Sequence, residues 1–290
     1  MALKSAPELT APASWRTVDF ISDLHLHAGD TATFAAWRHY LQTTAADAVF
    51  MLGDVFDVWV GDDAIGPVTD PAAQAPVLTS FEANCAGVLR LASRRLALFF
   101  MHGNRDFLVG APLPCGSAST CTLMEAGGLT LLADPTLLIF AGQRWLLSHG
   151  DALCLADTDY LAFRKQVRSP DWQHEFLARP LASRREIARD LRSQSQAQQA
   201  ARERAALPWA DVDRAATRAA LAAAGSQTLI HGHTHRPARH ELGDGCVRLV
   251  LSDWDLSPQA AVPRGDVLRL TGDGKAERLQ LPALQSLPAL

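Results

Sequence analysis

The 290-residue sequence predicts an α/β fold, a mixed sheet or a pair of sheets with helices outside and a helical segment inserted late in the chain. Three observations predict it. Short apolar runs recur, and each stops at Gly or a polar residue, as buried strands do. Stretches with apolar residues at helical spacing separate the first of these runs. Residues 155–224, by contrast, are rich in Arg, Gln and Ala with helical periodicity throughout. With 48% apolar residues, a chain of this length can bury a large core, as one large domain or as a domain carrying an insertion.

Taken in order, residues 1–15 (MALKSAPELTAPASW) lack the continuous apolar stretch of a signal peptide and are expected to be a loose tail. TVDFIS is the first strand and runs into Asp23-Leu24-His25. Residues 31–46 (TATFAAWRHYLQTTAA) read as a helix, and AVFML as a strand ending at Gly53-Asp54. Residues 77–95 read as a second helix, and LALFFMH as a strand running into Gly103-Asn104-Arg105-Asp106. Residues 126–147 look like successive strands with turns at GG and AGQR, and WLLSH ends at His149-Gly150-Asp151. Pro170, Pro180 and Pro208 divide 155–224 into several helices. TLIHG is a strand running into His233-Thr234-His235, and 238–280 reads as strands turning at GDG and TGDGK. The 155–224 segment falls between two strand-end motifs, where a helical cap over a site would be inserted. Its charge pattern is equally that of a solvated helical bundle. No internal repeat is present, and SQSQAQQAA (193–201) is too short to make a disordered tract.

Composition excludes several classes. The net charge of −4 supplies no basic field for nucleic acid. No apolar run is long enough to span a bilayer, so any membrane contact is expected to be peripheral. Cys85, Cys115, Cys121, Cys154 and Cys246 are odd in number and contain no C-x-x-C, which reads as reduced thiols in a cytosolic protein.

Each strand-end motif has an ordinary structural explanation when taken singly. D-x-H can be a helix cap followed by a surface histidine, GD and GN are common turns, and a lone His149 would be a satisfied structural histidine. Together they say more. Five strand-like runs each end in an oxygen or imidazole donor, and open α/β sheets place their sites just outside the carboxyl ends of strands. No cysteine takes part, so the donor set suits Mn, Fe, Co or Zn. There are more donors than one tetrahedral ion needs, which points to two ions sharing a bridging carboxylate.

The ordered blocks D-x-H (Asp23, His25), GD (Asp54), GNR (Asn104, Arg105), HGD (His149) and GHxH (His233, His235) resemble the calcineurin-like metallophosphoesterases. The longer stretches ISDLHL, LGDVFDVWVGDD, FFMHGNRDFLVG, LLSHGDALCLADTDYLAFRKQV and IHGHTHRPARHE resemble, within that family, the UDP-2,3-diacylglucosamine pyrophosphatases of lipid A synthesis. The resemblance covers roughly residues 18–255. It implies a sandwich of two mixed sheets flanked by helices, with a core over 16–154 and 225–290 and a cap over 155–224 that binds acyl chains and sugar.

The resemblance also implies roles. Asp23, His25, Asp54 and His235 look like the ligands of one ion, and Asp54, Asn104, His149 and His233 those of a second, with Asp54 bridging. The ions would be two Mn²⁺, though other divalent transition ions suit the donors. His231, ahead of the Gly, is read as the last strand residue in a supporting role. Arg105 and His25 are the expected catalytic groups, Arg105 offsetting charge on the phosphate. Substrate contacts are expected from Asn104, Arg105, His233, Asp157, Tyr160 and Ser195. Gln199 and Arg202 stand where the family pattern has Asn and Lys; the amide and the cation are kept, but a planar fork is not a point charge. Phe163, Val167, Trp172, Phe176, Leu177 and Leu181 would line the acyl slot, and LPCGSASTC (113–121) looks like an extra loop. The implied reaction is hydrolysis of UDP-2,3-diacylglucosamine to UMP and 2,3-diacylglucosamine 1-phosphate, by metal-activated water attacking the α-phosphorus. The alternative within the superfamily is a phosphodiesterase, nuclease or nucleotide pyrophosphatase with another substrate. A binding module or purely structural protein on this scaffold would have lost ligands, and none is missing. The lipid substrate further implies a cytoplasmic protein held peripherally at the inner membrane, with Arg184, Arg185, Arg189 and Arg192 facing lipid headgroups. No nucleic acid partner is expected, and the sequence points to no particular protein partner.

Overall fold

In the computed structural model, which describes residues 6–66, 80–113, 121–204 and 210–281, the strand-like runs are strands. In chain order the elements are β1 (Glu8–Thr10), β2 (Thr17–Ile21), α1 (Thr31–Thr43), β3 (Ala48–Leu52), α2 (Phe81–Ala92), β4 (Ala97–Met101), α3 (Leu123–Gly127), β5 (Leu129–Leu132), β6 (Thr136–Phe140), β7 (Gln143–Ser148), α4 (Thr158–Val167), α5 (Pro170–Leu177), α6 (Leu181–Arg204), α7 (Arg214–Ala224), β8 (Thr228–His231), β9 (Ala238–Gly243), β10 (Cys246–Val250), β11 (Asp266–Thr271) and β12 (Ala276–Gln280).

The strands form two six-stranded mixed sheets, ordered β1-β6-β7-β8-β10-β9 and β12-β11-β2-β3-β4-β5. Alternation within β3 shows why they stack. Ala48, Phe50 and Leu52 point into the layer between the sheets, where they meet Leu138, Leu147 and Ile230 of the other sheet. Val49 and Met51 point the other way, onto Trp37 and Leu41 of α1 and Leu89 of α2. The in-register pairing of Phe20, Phe50 and Phe99 stacks their rings, with centroids 5.1 and 4.6 Å apart. Strands β2, β3 and β4 run parallel, as do β7 and β8, so within each sheet the strand ends lie at one edge.

The helices follow their caps. Asp30 accepts from Thr33 N at the start of α1, whose buried residues Thr33, Ala36, Trp37, Tyr40 and Leu41 keep helical spacing. Pro170 opens α5, with Ser169 as its cap, and Pro180 precedes α6. Pro208 lies outside the described residues.

The strands expected over 126–147 are present as β5, β6 and β7, and the GG turn closes a short helix, α3, started by a capping box of Thr122 and Glu125. Three expectations need correction. The tail over 1–15 is not loose where it is described, because Glu8–Thr10 pairs in parallel with Leu137–Ile139. The end of 155–224 belongs to the core rather than to a cap: Leu221 and Ala224 of α7 pack on Leu137, Leu146 and Leu229, the outer face of the first sheet. Finally, the arginines of α6 do not make a free basic face. Arg184 is buried, hydrogen-bonded to the Val60 carbonyl and paired with Asp63. Arg185 pairs with Glu82, and Arg192 with Asp57. These partners belong to the core, so α6 is fastened down by charge.

Apolar contacts complete that docking. Phe176 and Leu177 are buried in the same cluster as α1 and α2, with Trp172 and Leu181 packed against it. Trp172 stacks on Phe176 with centroids 4.8 Å apart. Val167 is buried, while Phe163 is exposed. Most of the 113–121 loop lies outside the described residues. Cys85, Cys154 and Cys246 are free thiols.

Candidate metal centre

The loops after β2, β3, β4, β7 and β8 bring Asp23, His25, Asp54, Asn104, His149, His233 and His235 together. Donor atoms of Asp23, His25 and His235 lie within 4.8 Å of one another, and so do those of Asp23, Asp54 and His149. Asn104 joins the second group: its Oδ1 is 3.0 Å from His149 Nε2 and 2.9 Å from His233 Nδ1. These two groups draw on residues of the two expected ligand sets but do not divide them in the same way. The residue common to both tight groups is Asp23, and Asp54 falls in the second.

The backbone is bent to make this possible. Asp23, His25, Asp54, His233 and His235 all have positive φ, between 48° and 67°, which side-chain-bearing residues seldom adopt. Only Ala141 and Asp244 share that feature among the other described non-glycine residues. The bends also separate the three histidines that open the question of the GHxH block. His231 ends β8, fully buried, with Nδ1 on the Gly232 carbonyl at 2.8 Å. His233 and His235 turn away from it towards Asn104 and Asp23 respectively.

Close packing explains the glycines of the blocks. A Cβ on Gly103 would overlap Oδ1 and the backbone nitrogen of Asp54. Gly103→Ala is therefore expected to displace Asp54 and lower kcat/KM by about 10²-fold or more, a loss checked by steady-state assay beside a circular-dichroism spectrum of the variant.

The donor set fits divalent cations. Asp23 Oδ2 is satisfied by Ser22 Oγ at 2.5 Å and His233 N at 2.9 Å, while its buried Oδ1 has no hydrogen-bond partner and lies 3.3 Å from His235 Nε2. His25 Nδ1 is also buried without a partner, and its Nε2 faces His235 Nε2 at 3.2 Å. Burial, with the charges of Asp106 and Asp23 added, pushes Asp54 up to about 7. Burial opposes a charge on His149, but Asp54, Asp23 and Asp151 overcome it and raise the ring to about 9. A proton thus sits in the field of crowded carboxylates, and a bound cation would take its place. His233 is pulled down to about 4 by burial and by His149, and burial pulls His25 well down, so both rings are neutral donors. His149 Nδ1 donates to the Leu52 carbonyl at 2.9 Å, which aims Nε2 at the site.

Several supporting residues were not singled out from the sequence. Asp106 is fully buried and accepts from Gly103 N and Val55 N, both at 2.8 Å, bracing the GN and GD loops on each other. Asp253 lies 3.6 Å from His235 Nδ1 and is held by Arg264. The signal was available: Asp106 completes GNRD, and VRLVLSDW is another apolar run ending in an acid.

The expected substrate contacts divide. Arg105 anchors its amide on Asp54 Oδ1 at 2.8 Å, and its guanidinium makes no hydrogen bond or ion pair with the described residues. The Tyr160 ring stacks on His233, 6.0 Å between centroids and 28° apart. Asp157 caps α4 by accepting from Tyr160 N. Ser195, Gln199 and Arg202 lie in α6 at spacings that put them on one helix face, but their side chains lie outside the described residues.

Comparison with known proteins agrees with this geometry. The family model described as calcineurin-like phosphoesterase matches residues 16–237. A protein of Cellvibrio japonicus named UDP-2,3-diacylglucosamine hydrolase is 42% identical over 81% of this chain and 90% of its own. One of the same name from Chromobacterium violaceum is 43% identical over 82% and 90%. Another from Xanthomonas axonopodis pv. citri is 38% identical over 91% of this chain and 100% of its own. The chain belongs to the calcineurin-like phosphoesterase family, a family of metal-dependent hydrolases, and within it to the group of the UDP-2,3-diacylglucosamine hydrolases.

Proposed function

We propose that this chain hydrolyses the diphosphate of UDP-2,3-diacylglucosamine to UMP and 2,3-diacylglucosamine 1-phosphate, a step of lipid A synthesis. The observation that carries the reading is that a complete set of oxygen and imidazole donors converges beneath docked cap helices, in a chain 38–43% identical to hydrolases of that name. Asp23, His25, Asp54 and His235 would hold one ion, and Asp54, Asn104, His149 and His233 the other, as two Mn²⁺. Such ions supply Lewis acidity at a phosphoryl oxygen and a water deprotonated near neutral pH.

The chain's own residues do the rest. Arg105, beside Asn104 and with its guanidinium unengaged among the described residues, binds the phosphate and offsets charge as the diphosphate breaks. His25, neutral and with Nε2 3.2 Å from His235 Nε2, would be the second catalytic group. Tyr160 and Asp157 meet the glucosamine, and Ser195, Gln199 and Arg202 the sugar phosphate, from a cap formed by α4, α5 and α6. The core is then 16–154 with the chain from α7 onward. The acyl chains lie along the apolar surface of the cap.

No helix among the described residues is long and apolar enough to cross a membrane. A cytoplasmic protein that meets the inner membrane peripherally fits a lipid substrate, and Leu155, Phe163 and Leu191 are exposed on the cap side. Turnover in ¹⁸O-water tests the reaction: label is expected in UMP, and label in the sugar phosphate would place the attack on the other phosphorus.

A further inference from the structure

Asp151 has no part in the ligand sets above, yet it is fully buried two residues after His149. Its Oδ2 accepts from Tyr160 Oη at 2.5 Å and from Arg164 Nε at 2.7 Å. Its Oδ1 accepts from the amide of Ala152 at 2.8 Å. Tyr160 and Arg164 are one turn apart on α4, so a single core carboxylate holds one face of the first cap helix. The Tyr160 ring so held lies against His233, whose ring is in turn 5.1 Å from that of His149. Arg168, the next turn of the same face, donates to the Gly103 carbonyl at 2.8 Å and lies over the Phe107 ring at 5.4 Å.

Building on the function proposed above, we propose that Asp151 is a positioning residue for substrate binding: it sets the pose of Tyr160 against His233 and fixes the first cap helix to the ligand-bearing loops. The chemistry demands a carboxylate. Two donors converge on one oxygen while the other oxygen is already used, and an amide would turn an NH₂ towards one set of donors. A hydrophobic residue would leave the Tyr160 hydroxyl without a partner and the Arg164 guanidinium with only Asp134, 3.8 Å away.

The test uses the whole chain. Asp151→Asn and Tyr160→Phe are each expected to raise KM for UDP-2,3-diacylglucosamine about tenfold while kcat changes less than about threefold, the mark of lost binding common to ground and transition state. The double variant is expected to be no worse than the poorer single one, because both remove the same placement. An unchanged KM in Asp151→Asn, or effects that multiply, would overturn the proposal. The chain holds two tyrosines, Tyr40 and Tyr160, so 3-fluorotyrosine labelling gives two ¹⁹F resonances. Asp151→Asn is expected to move the Tyr160 resonance and leave that of Tyr40, which reports the folded core. An unmoved Tyr160 resonance counts against the proposal. Should Asp151→Asn not fold, Arg164→Gln, which removes one donor from a partly exposed position, is expected to move the same resonance and raise KM, and failure on both counts contradicts it. If the wild-type chain releases no UMP from this substrate, the proposed function falls, while the ¹⁹F measurement still decides whether Asp151 holds Tyr160.

Discussion

Asp23→Ala is expected to lower kcat/KM by about 10³-fold or more and to leave the protein with less than its full complement of divalent metal. The size follows from position. Asp23 is the carboxylate common to both tight donor groups, and its free oxygen is buried with no hydrogen bond to satisfy it. Removing it takes a ligand from the first proposed site and a charge from beside the second, and releases His235, which it holds at 3.3 Å. Its other oxygen receives the His233 amide, so the GHxH loop loses an anchor too. Chelation of the wild-type protein is expected to reproduce the loss, and returning divalent metal to reverse it. In Asp23→Ala added metal is expected to restore little. Metal analysis of the purified variant beside its kinetics checks this, and a variant that keeps its metal and its rate would remove Asp23 from the centre.

Arg105→Ala carries the second largest expected effect, about 10²–10³-fold in kcat/KM, the range for losing one preorganised group that stabilises transition-state charge. Its amide is tied to Asp54, so the residue cannot drift from the centre, while its guanidinium is uncommitted among the described residues. Its charge reaches His25, Asp54 and Asp57. Arg105→Lys is expected to recover only part of the loss, because an ammonium cannot present two parallel donors to a phosphate. Metal content is expected to stay at the wild-type level in both variants. A rate unchanged in Arg105→Ala would leave this arginine as a surface charge.

The ligand row was legible because its signal is local. A short apolar run fixes a strand, its end fixes a loop, and parallel strands carry all such loops to one edge, so the sequence already places Asp23, Asp54, Asn104, His149 and the GHxH pair together. What was not legible depends on distant partners. Arg184 has the same sequence environment as Arg185 and Arg189, and only the buried meeting with Asp63 and the Val60 carbonyl sets it apart. The helical pattern of α7 continues that of α6, yet Leu221 and Leu229 share one cluster and assign α7 to the core. Strand β1 is three residues long and has no periodicity to read; the exposed edge of β6 creates it. The shared place of Asp23 in both donor groups is likewise a property of folded loops, since the family resemblance implied Asp54 as the bridge.

The central claim is that this ligand set serves a diphosphate in a diacylated nucleotide sugar. The measurement that meets it most directly is UMP release by the purified, Mn²⁺-loaded protein from UDP-2,3-diacylglucosamine, beside hydrolysis of a generic bis-aryl phosphodiester, with His233→Ala run in parallel. Efficient UMP release from the lipid substrate, abolished in His233→Ala, is the predicted result. Cleavage of the generic diester alone would leave the metal centre standing and contradict the substrate.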